Sequence, residues 1–149
     1  MVLRVGILST ANIARKNILA LQDAACAGIV EASCVGSRDA ERARAFAAET
    51  GVPEALDGTE ALDGITGYAA VLASPVVDVV YVPLPTALHA EWVLRAAAAG
   101  KHVLAEKPVA RTAAELVPML QALSSNDLVF MDGESVRKIC ACSPCSLNQ

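Results

Sequence analysis

The run of residues 77–82, Val-Asp-Val-Val-Tyr-Val, constrains the fold more than any other stretch of the chain. It is rich in β-branched residues, almost continuously apolar, and bounded by Pro75 and Pro83. A strand that is apolar on both of its faces is typical of the interior of a parallel sheet, where helices cover both sides. We therefore expect helices before and after this strand.

The rest of the chain supplies those helices in alternation with further strands. We predict strands near residues 4–8, 29–36, 54–56, 77–82, 101–105 and 128–131. Helices are predicted between them, with Asn12, Asp39, Thr86 and Thr112 as N-terminal caps. This alternation predicts an α/β fold with a doubly wound parallel sheet, the Rossmann fold, of about six strands in the order 3-2-1-4-5-6.

Composition narrows the class of protein further. The 149 residues predict one domain, and their net charge of −4, without a basic block, argues against nucleic acid and anionic membranes as partners. No uncharged apolar stretch is long enough to predict a membrane span, so we expect a cytoplasmic protein. Cys26 and Cys34 lie in apolar contexts and are expected to be reduced core residues.

A turn of small residues follows the first strand. Its residues are Ser9, Thr10, Ala11, Asn12, Ile13 and Ala14. Strand, tight turn and helix form the first half of a dinucleotide-binding unit, in which the backbone approaches a pyrophosphate and the N–H groups of the helix start face its charge. The usual spacing is G-x-G-x-x-G/A, and here serine and alanine replace the glycines, so this turn alone is a weak indicator.

Polar or conformationally restricted residues follow three more predicted strands. They are Ser37-Arg38, the segment 83–89, and Glu106-Lys107-Pro108. Carboxyl ends of parallel strands share one edge of the sheet, and ligands of such folds bind there. The coincidence predicts a binding site at that edge.

Three segments resemble the Gfo/Idh/MocA family of oxidoreductases, most closely its dihydrodiol-dehydrogenase-like branch. They are residues 5–14, the motif Pro83-Leu84-Pro85-Thr86-x-x-His89, and residues 100–109, which contain Glu106-Lys107-Pro108. The resemblance covers residues 2 to about 133. It implies an NAD(P)-binding Rossmann domain over residues 1–133, hydride transfer with a sugar-like or diol alcohol, and a larger second domain that is absent from this chain.

The resemblance also implies the site residues. Lys107 would position the substrate hydroxyl and help to move its proton, with a solvated loop lysine as the alternative. Arg38, beside Ser37, replaces the acidic residue expected for a ribose hydroxyl and favours NADP over NAD, unless it only pairs with Glu41 or Glu49. The cofactor-binding residues implied are Ser9, Thr10, Ala11, Asn12, Ile13, Ser37, Arg38, Pro83, Leu84, Thr86, His89 and Glu106.

Some of these motif residues have roles that stay open or differ from cofactor binding alone. His89 either touches the cofactor edge or packs within the domain. Glu106 is expected to be a structural or cofactor-contacting partner rather than a base. Pro108 sets the backbone, through a cis Lys107–Pro108 bond as the family suggests, whereas His102 is expected to be structural.

Residues 134–149 match nothing in the family. Cys140, Cys142 and Cys145 offer three thiolates but lack a fourth ligand, so we expect no metal site and a disordered tail from a truncated gene end. Without the second domain, the chain is expected to be weak or inactive alone, and its oligomeric state is open. A nucleotide-binding module without catalysis is the alternative function, and an α/β domain that binds no nucleotide is a third hypothesis.

Overall fold

The computed structural model describes residues 2–23, 28–56 and 66–133, and for Thr66 the backbone only. The predicted tail with its three cysteines, and Cys26, lie outside these ranges. The elements are β1 (Leu3–Leu8), α1 (Asn12–Leu21), β2 (Val30–Gly36), α2 (Ala40–Thr50), β3 (Glu54–Leu56), α3 (Thr66–Ala73), β4 (Val79–Val82), α4 (Thr86–Ala98), β5 (His102–Ala105), α5 (Ala113–Ser125) and β6 (Phe130–Asp132).

The strands form one six-stranded sheet in the order β3-β2-β1-β4-β5-β6, and each neighbouring pair is parallel. This confirms the predicted fold class and strand order. The order reverses between β1 and β4, where Ile7 lies opposite Tyr81. β4 begins at Val79, two residues later than predicted.

Helices cover both faces of the sheet, as the apolar character of β4 requires. One core cluster joins α1 and α2 to the sheet and contains Ile18, Phe46 and Tyr81. The other joins α3, α4 and α5 to the opposite face and contains Trp92 and Met119. In the described part of the chain, none of the helices has the length and apolar character needed to cross a membrane.

Two of the four predicted helix caps are confirmed. Asp39 accepts a hydrogen bond from the N–H of Arg42 at the start of α2, and Thr112 accepts one from the N–H of Glu115 at the start of α5. The other two predictions are wrong, because Asn12 and Thr86 are already the first residues inside α1 and α4. A cap side chain must come from the residue before, and there Ala11 and Pro85 have no side-chain acceptor.

Candidate functional site

The four loops expected to form the site lie at one edge of the sheet. They follow β1, β2, β4 and β5, and these strands are parallel, so their carboxyl ends point the same way. We call this the carboxyl edge. The point where the strand order reverses lies between β1 and β4, and open α/β sheets bind their ligands outside such a point.

In the turn after β1, small residues stand where the dinucleotide-binding motif usually has glycines. Ser9 has φ of 126°, a left-handed conformation that favours glycine, and its N–H donates to the carbonyl oxygen of Gly36 at 2.9 Å. The Ser9 hydroxyl accepts a hydrogen bond from the N–H of Ala11 at 3.1 Å. Ala14 is fully buried where α1 packs on the sheet. At the three positions where the motif has glycines, Ser9 thus makes the tight turn, Ala11 is the open turn residue, and Ala14 makes the close packing contact.

The two helices beside the reversal point begin without a side-chain cap. No side chain caps α1 or α4, whereas Asp39 and Thr112 cap α2 and α5. Uncapped first-turn N–H groups are available to an anion, and the positive end of the helix dipole favours one. The exposed residues Asn12 and Ile13 form this first turn of α1. The donor set at α1 therefore fits a pyrophosphate.

An open cleft of about 570 Å³ extends from this turn to the end of β2. It is lined by Ser9, Thr10, Ala11, Ser37, Arg38, Asp39, Arg42 and Tyr68. Ser37 is nearly buried, and its hydroxyl accepts from the N–H of Asp39 at 3.2 Å, which leaves the hydroxyl hydrogen available to an acceptor in the cleft. Arg38 is exposed.

Two residues of this cleft were not predicted from the sequence. Arg42 lies one turn into α2 and pairs with Asp39, with Nε 3.4 Å from Oδ2. Among the described residues that line the cleft, Asp39 carries the carboxylate, and its pairing with Arg42 leaves Arg38 as the residue that sets the local charge. The ring of Tyr68 is buried edge-on against Trp92, at a centroid distance of 5.1 Å. Arg42 lies four residues after Arg38, which is about the spacing of one helical turn, so the sequence alone could have indicated it as a cleft residue.

The loop after β5 brings Glu106 and Lys107 to the same edge. The Lys107–Pro108 peptide bond is cis, as the resemblance suggested, and Lys107 is exposed. Glu106 Oε1 accepts hydrogen bonds from the Tyr81 hydroxyl at 2.6 Å and from Asn17 Nδ2 at 3.0 Å. Glu106 Oε2 accepts from the Lys107 N–H at 3.3 Å. Asn17 and Tyr81 were not predicted as site residues.

Tyr81 is a permanent hydrogen-bond donor to this carboxylate. Its pKa is raised, first by burial and then by the hydrogen bond and the charge of Glu106, and Asn17 only partly opposes the shift. The phenol therefore stays protonated at physiological pH. Its hydroxyl donates to Glu106 Oε1 and so orients that carboxylate.

The segment after β4 packs partly against the core, and the predicted cofactor contacts of Pro83, Leu84 and Thr86 stay predictions. Pro83 and Leu84 are buried, Leu84 packs in the core with α4, and Thr86 is half-buried. The His89 ring is fully buried, with Nε2 2.7 Å from the carbonyl oxygen of Leu84 and Nδ1 3.1 Å from that of Val109. Two roles were open for His89, contact with the cofactor edge and packing within the domain. This geometry favours packing.

The other predicted histidine is also in a structural position. His102 Nδ1 accepts a hydrogen bond from the N–H of Val129 at 3.0 Å, at the start of β5 and away from the carboxyl edge. Within residues 2–23, 28–56 and 66–133, no group of three or more potential ligands is arranged to hold a metal ion.

Comparison with known proteins agrees with this architecture. Residues 3–134 match the Gfo/Idh/MocA family model, described as an oxidoreductase family with an NAD-binding Rossmann fold. The chain is 42% identical over 130 residues to a dTDP-3,4-didehydro-2,6-dideoxy-alpha-D-glucose 3-reductase of Streptomyces violaceoruber, covering 87% of this chain and 34% of that protein. It is 39% identical over 127 residues to D-xylose 1-dehydrogenase (NADP(+)) 2 of Haloferax volcanii, covering 85% of this chain and 35% of that protein.

Solved structures show the same likeness. KijD10, a 3-ketoreductase from Actinomadura kijaniata solved with NADP, superposes with a TM-score of 0.76 at 35% identity, covering 89% of this chain and 38% of that one. The chain thus spans about a third of the length of the relatives it matches. The predicted dihydrodiol-dehydrogenase-like branch stays a prediction. The family match, the strand order and the site at the carboxyl edge agree, and the chain belongs to the Gfo/Idh/MocA family of oxidoreductases.

Proposed function

We propose that the chain is the cofactor-binding domain of an oxidoreductase that transfers hydride between NADP(H) and a hydroxyl-bearing carbon of a sugar-like or diol substrate. The observation that carries this proposal is the convergence, at one edge of the sheet, of the uncapped N-terminus of α1, the Ser37–Arg38 cleft and the Lys107 loop. These three features fit the pyrophosphate, the adenosine end and the reacting end of a dinucleotide.

The residues at the end of β2 fit a 2′-phosphate. A guanidinium group binds phosphate oxygens in a bidentate geometry, and the Ser37 hydroxyl offers a further donor. Asp39 accepts from the N–H of Arg42 and pairs with its side chain, so the charge of this carboxylate is partly offset beside the proposed phosphate site. The names of two relatives point the same way, since the xylose dehydrogenase is NADP-dependent and the ketoreductase was solved with NADP.

The reacting end lies on the β4 and β5 side. A dinucleotide anchored at β2 and crossing α1 reaches the loops after β4 and β5 with its other half. NADP(H), when bound, supplies or accepts the hydride. Lys107 would hold the substrate oxygen and give or take its proton, while Glu106 fixes the backbone of that loop through the Lys107 N–H. Substrate orientation and water exclusion would come from a second domain, because the matched relatives are about three times longer.

Calorimetric titration of the full chain with NADPH and with NADH tests the cofactor proposal. We expect saturable binding of NADPH that is tighter than that of NADH. Arg38→Ala should weaken NADPH about tenfold to a hundredfold, because one charged contact to phosphate is lost, and should leave NADH nearly unchanged. Arg44→Ala is the matched control, because Arg44 is an exposed arginine of the following helix α2 that does not line the cleft.

Equal affinity for the two cofactors, unaffected by Arg38→Ala, would contradict the NADP assignment. Absence of binding to either cofactor would contradict the binding function altogether. Turnover is tested separately by assaying sugar and diol oxidation with Lys107→Ala as the comparison. Full activity in that variant would remove Lys107 from the mechanism, and cofactor binding without turnover by the wild type would favour the nucleotide-binding module.

A further inference from the structure

The partly buried group formed by Asn17, Tyr81 and Glu106 belongs to three different elements of the fold. Asn17 lies in the second turn of α1, Tyr81 in β4, and Glu106 directly after β5. Asn17 Nδ2 donates both to the Tyr81 oxygen and to Glu106 Oε1, and the Tyr81 hydroxyl donates to the same oxygen. These contacts connect residues separated in sequence by 64, 89 and 25 positions.

The group holds the Glu106 carboxylate from both sides. Its first oxygen has two neutral donors, and its second accepts from the Lys107 N–H. Beyond the second oxygen lies the chain at the end of β6, where a Cβ atom at Gly133 would stand only 2.9 Å from Oε2 and 3.4 Å from the Glu106 Cα. The three hydrogen bonds fix the orientation of the carboxylate, and the lack of a side chain at Gly133 leaves room for it.

The position of this group connects it to the loops that frame the reacting half of the cofactor. α1 presents its N-terminus to the pyrophosphate, β4 leads into residues 83–86, and Glu106 precedes Lys107. A rigid tie among these elements fixes their mutual distance, which a bound ligand otherwise has to fix at a cost in affinity. The cleft at the end of β2, which is proposed to hold the adenosine end of the cofactor, is lined by none of these three residues.

We propose that Asn17 and Tyr81 are positioning residues, which hold Glu106 so that the loops after β4 and β5 are preformed for the nicotinamide half of the cofactor. The proposal rests on the proposed function, because it assigns these residues to the same dinucleotide site. The raised pKa of Tyr81 agrees with a phenol that keeps its proton and donates it to Glu106 in this hydrogen bond.

The experiment compares two ligands on the full-length chain. NADPH occupies both halves of the site, whereas adenosine 2′,5′-bisphosphate occupies only the adenosine half. Tyr81→Phe keeps the buried ring and removes only the hydroxyl group. We expect it to weaken NADPH about tenfold, the usual effect of one hydrogen bond to a charged group, and to leave the affinity for the bisphosphate unchanged.

Asn17 supplies a second, independent variant. Asn17→Ala should resemble Tyr81→Phe, and Asn17→Asp should weaken NADPH further, because it places a carboxylate of nearly the same shape against Glu106. In a Glu106→Gln background, the additional loss from Tyr81→Phe should shrink, since interacting residues give non-additive effects. Thr50→Val is the control, because it removes a buried hydroxyl that bonds Phe46 at the far end of α2.

The outcomes separate the positioning role from the cofactor function. Selective loss of NADPH affinity supports the positioning role. Unchanged NADPH affinity in both variants, or equal losses for NADPH and the bisphosphate, overturns it while the proposed cofactor function stands. A wild-type chain that binds neither ligand overturns the proposed function, and the positioning role with it.

Discussion

His89 Nε2 lies 2.7 Å from the carbonyl oxygen of Leu84, while Nδ1 of the same ring lies 3.1 Å from that of Val109. One buried ring thereby joins the segment after β4 to the segment after the Lys107 turn. Which of the two carbonyl oxygens receives the ring N–H depends on the tautomer of His89.

Replacing His89 should therefore destabilise the fold around two loops at once. His89→Phe keeps an aromatic ring but removes the ring N–H donor beside these two carbonyl oxygens, at an expected cost of roughly 1–3 kcal/mol in the free energy of unfolding. Urea unfolding measures this cost. His102→Ala is the control, since that ring accepts one bond from Val129 at the start of β5, and its loss should cost less than half as much. Equal costs for the two variants would show that the ring of His89 contributes only ordinary packing.

At position 9, a glycine variant should be more stable than an alanine variant, which is the reverse of the usual order. Ser9 has a φ of 126°, which is strained for any side chain, at about 1–3 kcal/mol, and its hydroxyl bond to the Ala11 N–H offsets part of that strain. Ser9→Ala keeps the strain and loses the bond, whereas Ser9→Gly loses both. We therefore expect Ser9→Gly to be more stable than Ser9→Ala by about 1 kcal/mol in urea unfolding.

The matched control for that ranking is Ser33, which lies inside β2 and donates a hydroxyl hydrogen bond to the Val5 carbonyl oxygen. The register between β1 and β2 shifts at Ser33, but its φ is not positive, so alanine there should be more stable than glycine by about 0.5–1 kcal/mol. If glycine and alanine rank in the same order at both positions, the turn at Ser9 is not under strain.

Local patterns in the sequence were sufficient for the fold. The apolar run around β4 and the caps Asp39 and Thr112 depend on neighbouring residues; both caps are found as predicted, and the strand is found with a start two residues later. The caps of α1 and α4 were misplaced by one residue, because Asn12 and Thr86 are good cap residues by type but lie after the turn has already entered the helix.

The candidate site was only partly accessible from sequence. Loop positions follow from strand order, so Arg38 and Lys107 could be assigned to one edge. Asn17 and Tyr81 could not, because their bonds to Glu106 join residues far apart in sequence, and a tyrosine within an apolar strand reads as core. The signal that was available is general: a buried tyrosine hydroxyl requires a polar partner.

The backbone contact between Gly36 and Gly67 should tolerate no side chain. A Cβ atom at Gly67 would lie 2.1 Å from the Ser37 carbonyl oxygen, and one at Gly36 would lie 2.2 Å from the Gly67 carbonyl oxygen. Both obstacles are backbone atoms that cannot rotate away. Gly67→Ala should therefore displace α3 from the turn that carries Ser37, destabilise the fold by about 2–4 kcal/mol, and weaken NADPH binding. Thermal unfolding and calorimetry measure the two effects.

Gly100→Ala is the comparison for Gly67. Gly100 has φ of 71°, but a Cβ atom there would meet no other atom within 4 Å, so the substitution brings backbone strain without a steric clash. Its cost should stay near about 1–2 kcal/mol, with no change in NADPH affinity. Comparable losses of affinity in the two variants would mean that general instability, rather than displacement of Ser37, weakens binding.

The ion pair between Arg4 and Asp78 should make stability depend on pH in the acid range. Arg4 Nε and Nη2 donate to the two carboxylate oxygens at 2.9 and 2.8 Å, and the Arg4 N–H adds a third bond at 2.9 Å. These bonds lower the pKa of Asp78 from 3.8 to about 2. A carboxylate with a depressed pKa in the folded state stabilises the protein above its unfolded pKa, and that stability is lost as the pH falls from about 4 towards 2.

Asp78→Asn should cost about 1–2 kcal/mol at pH 7, a value reduced for the partial exposure of both side chains, and the difference from the wild type should shrink towards zero near pH 2. Urea unfolding between pH 2 and pH 7 measures it, with Glu49→Gln at the more exposed Arg15–Glu49 pair as a control that should cost less than about 0.5 kcal/mol. A constant difference between wild type and Asp78→Asn across this range would show that the ionised pair between β1 and the start of β4 does not stabilise the sheet.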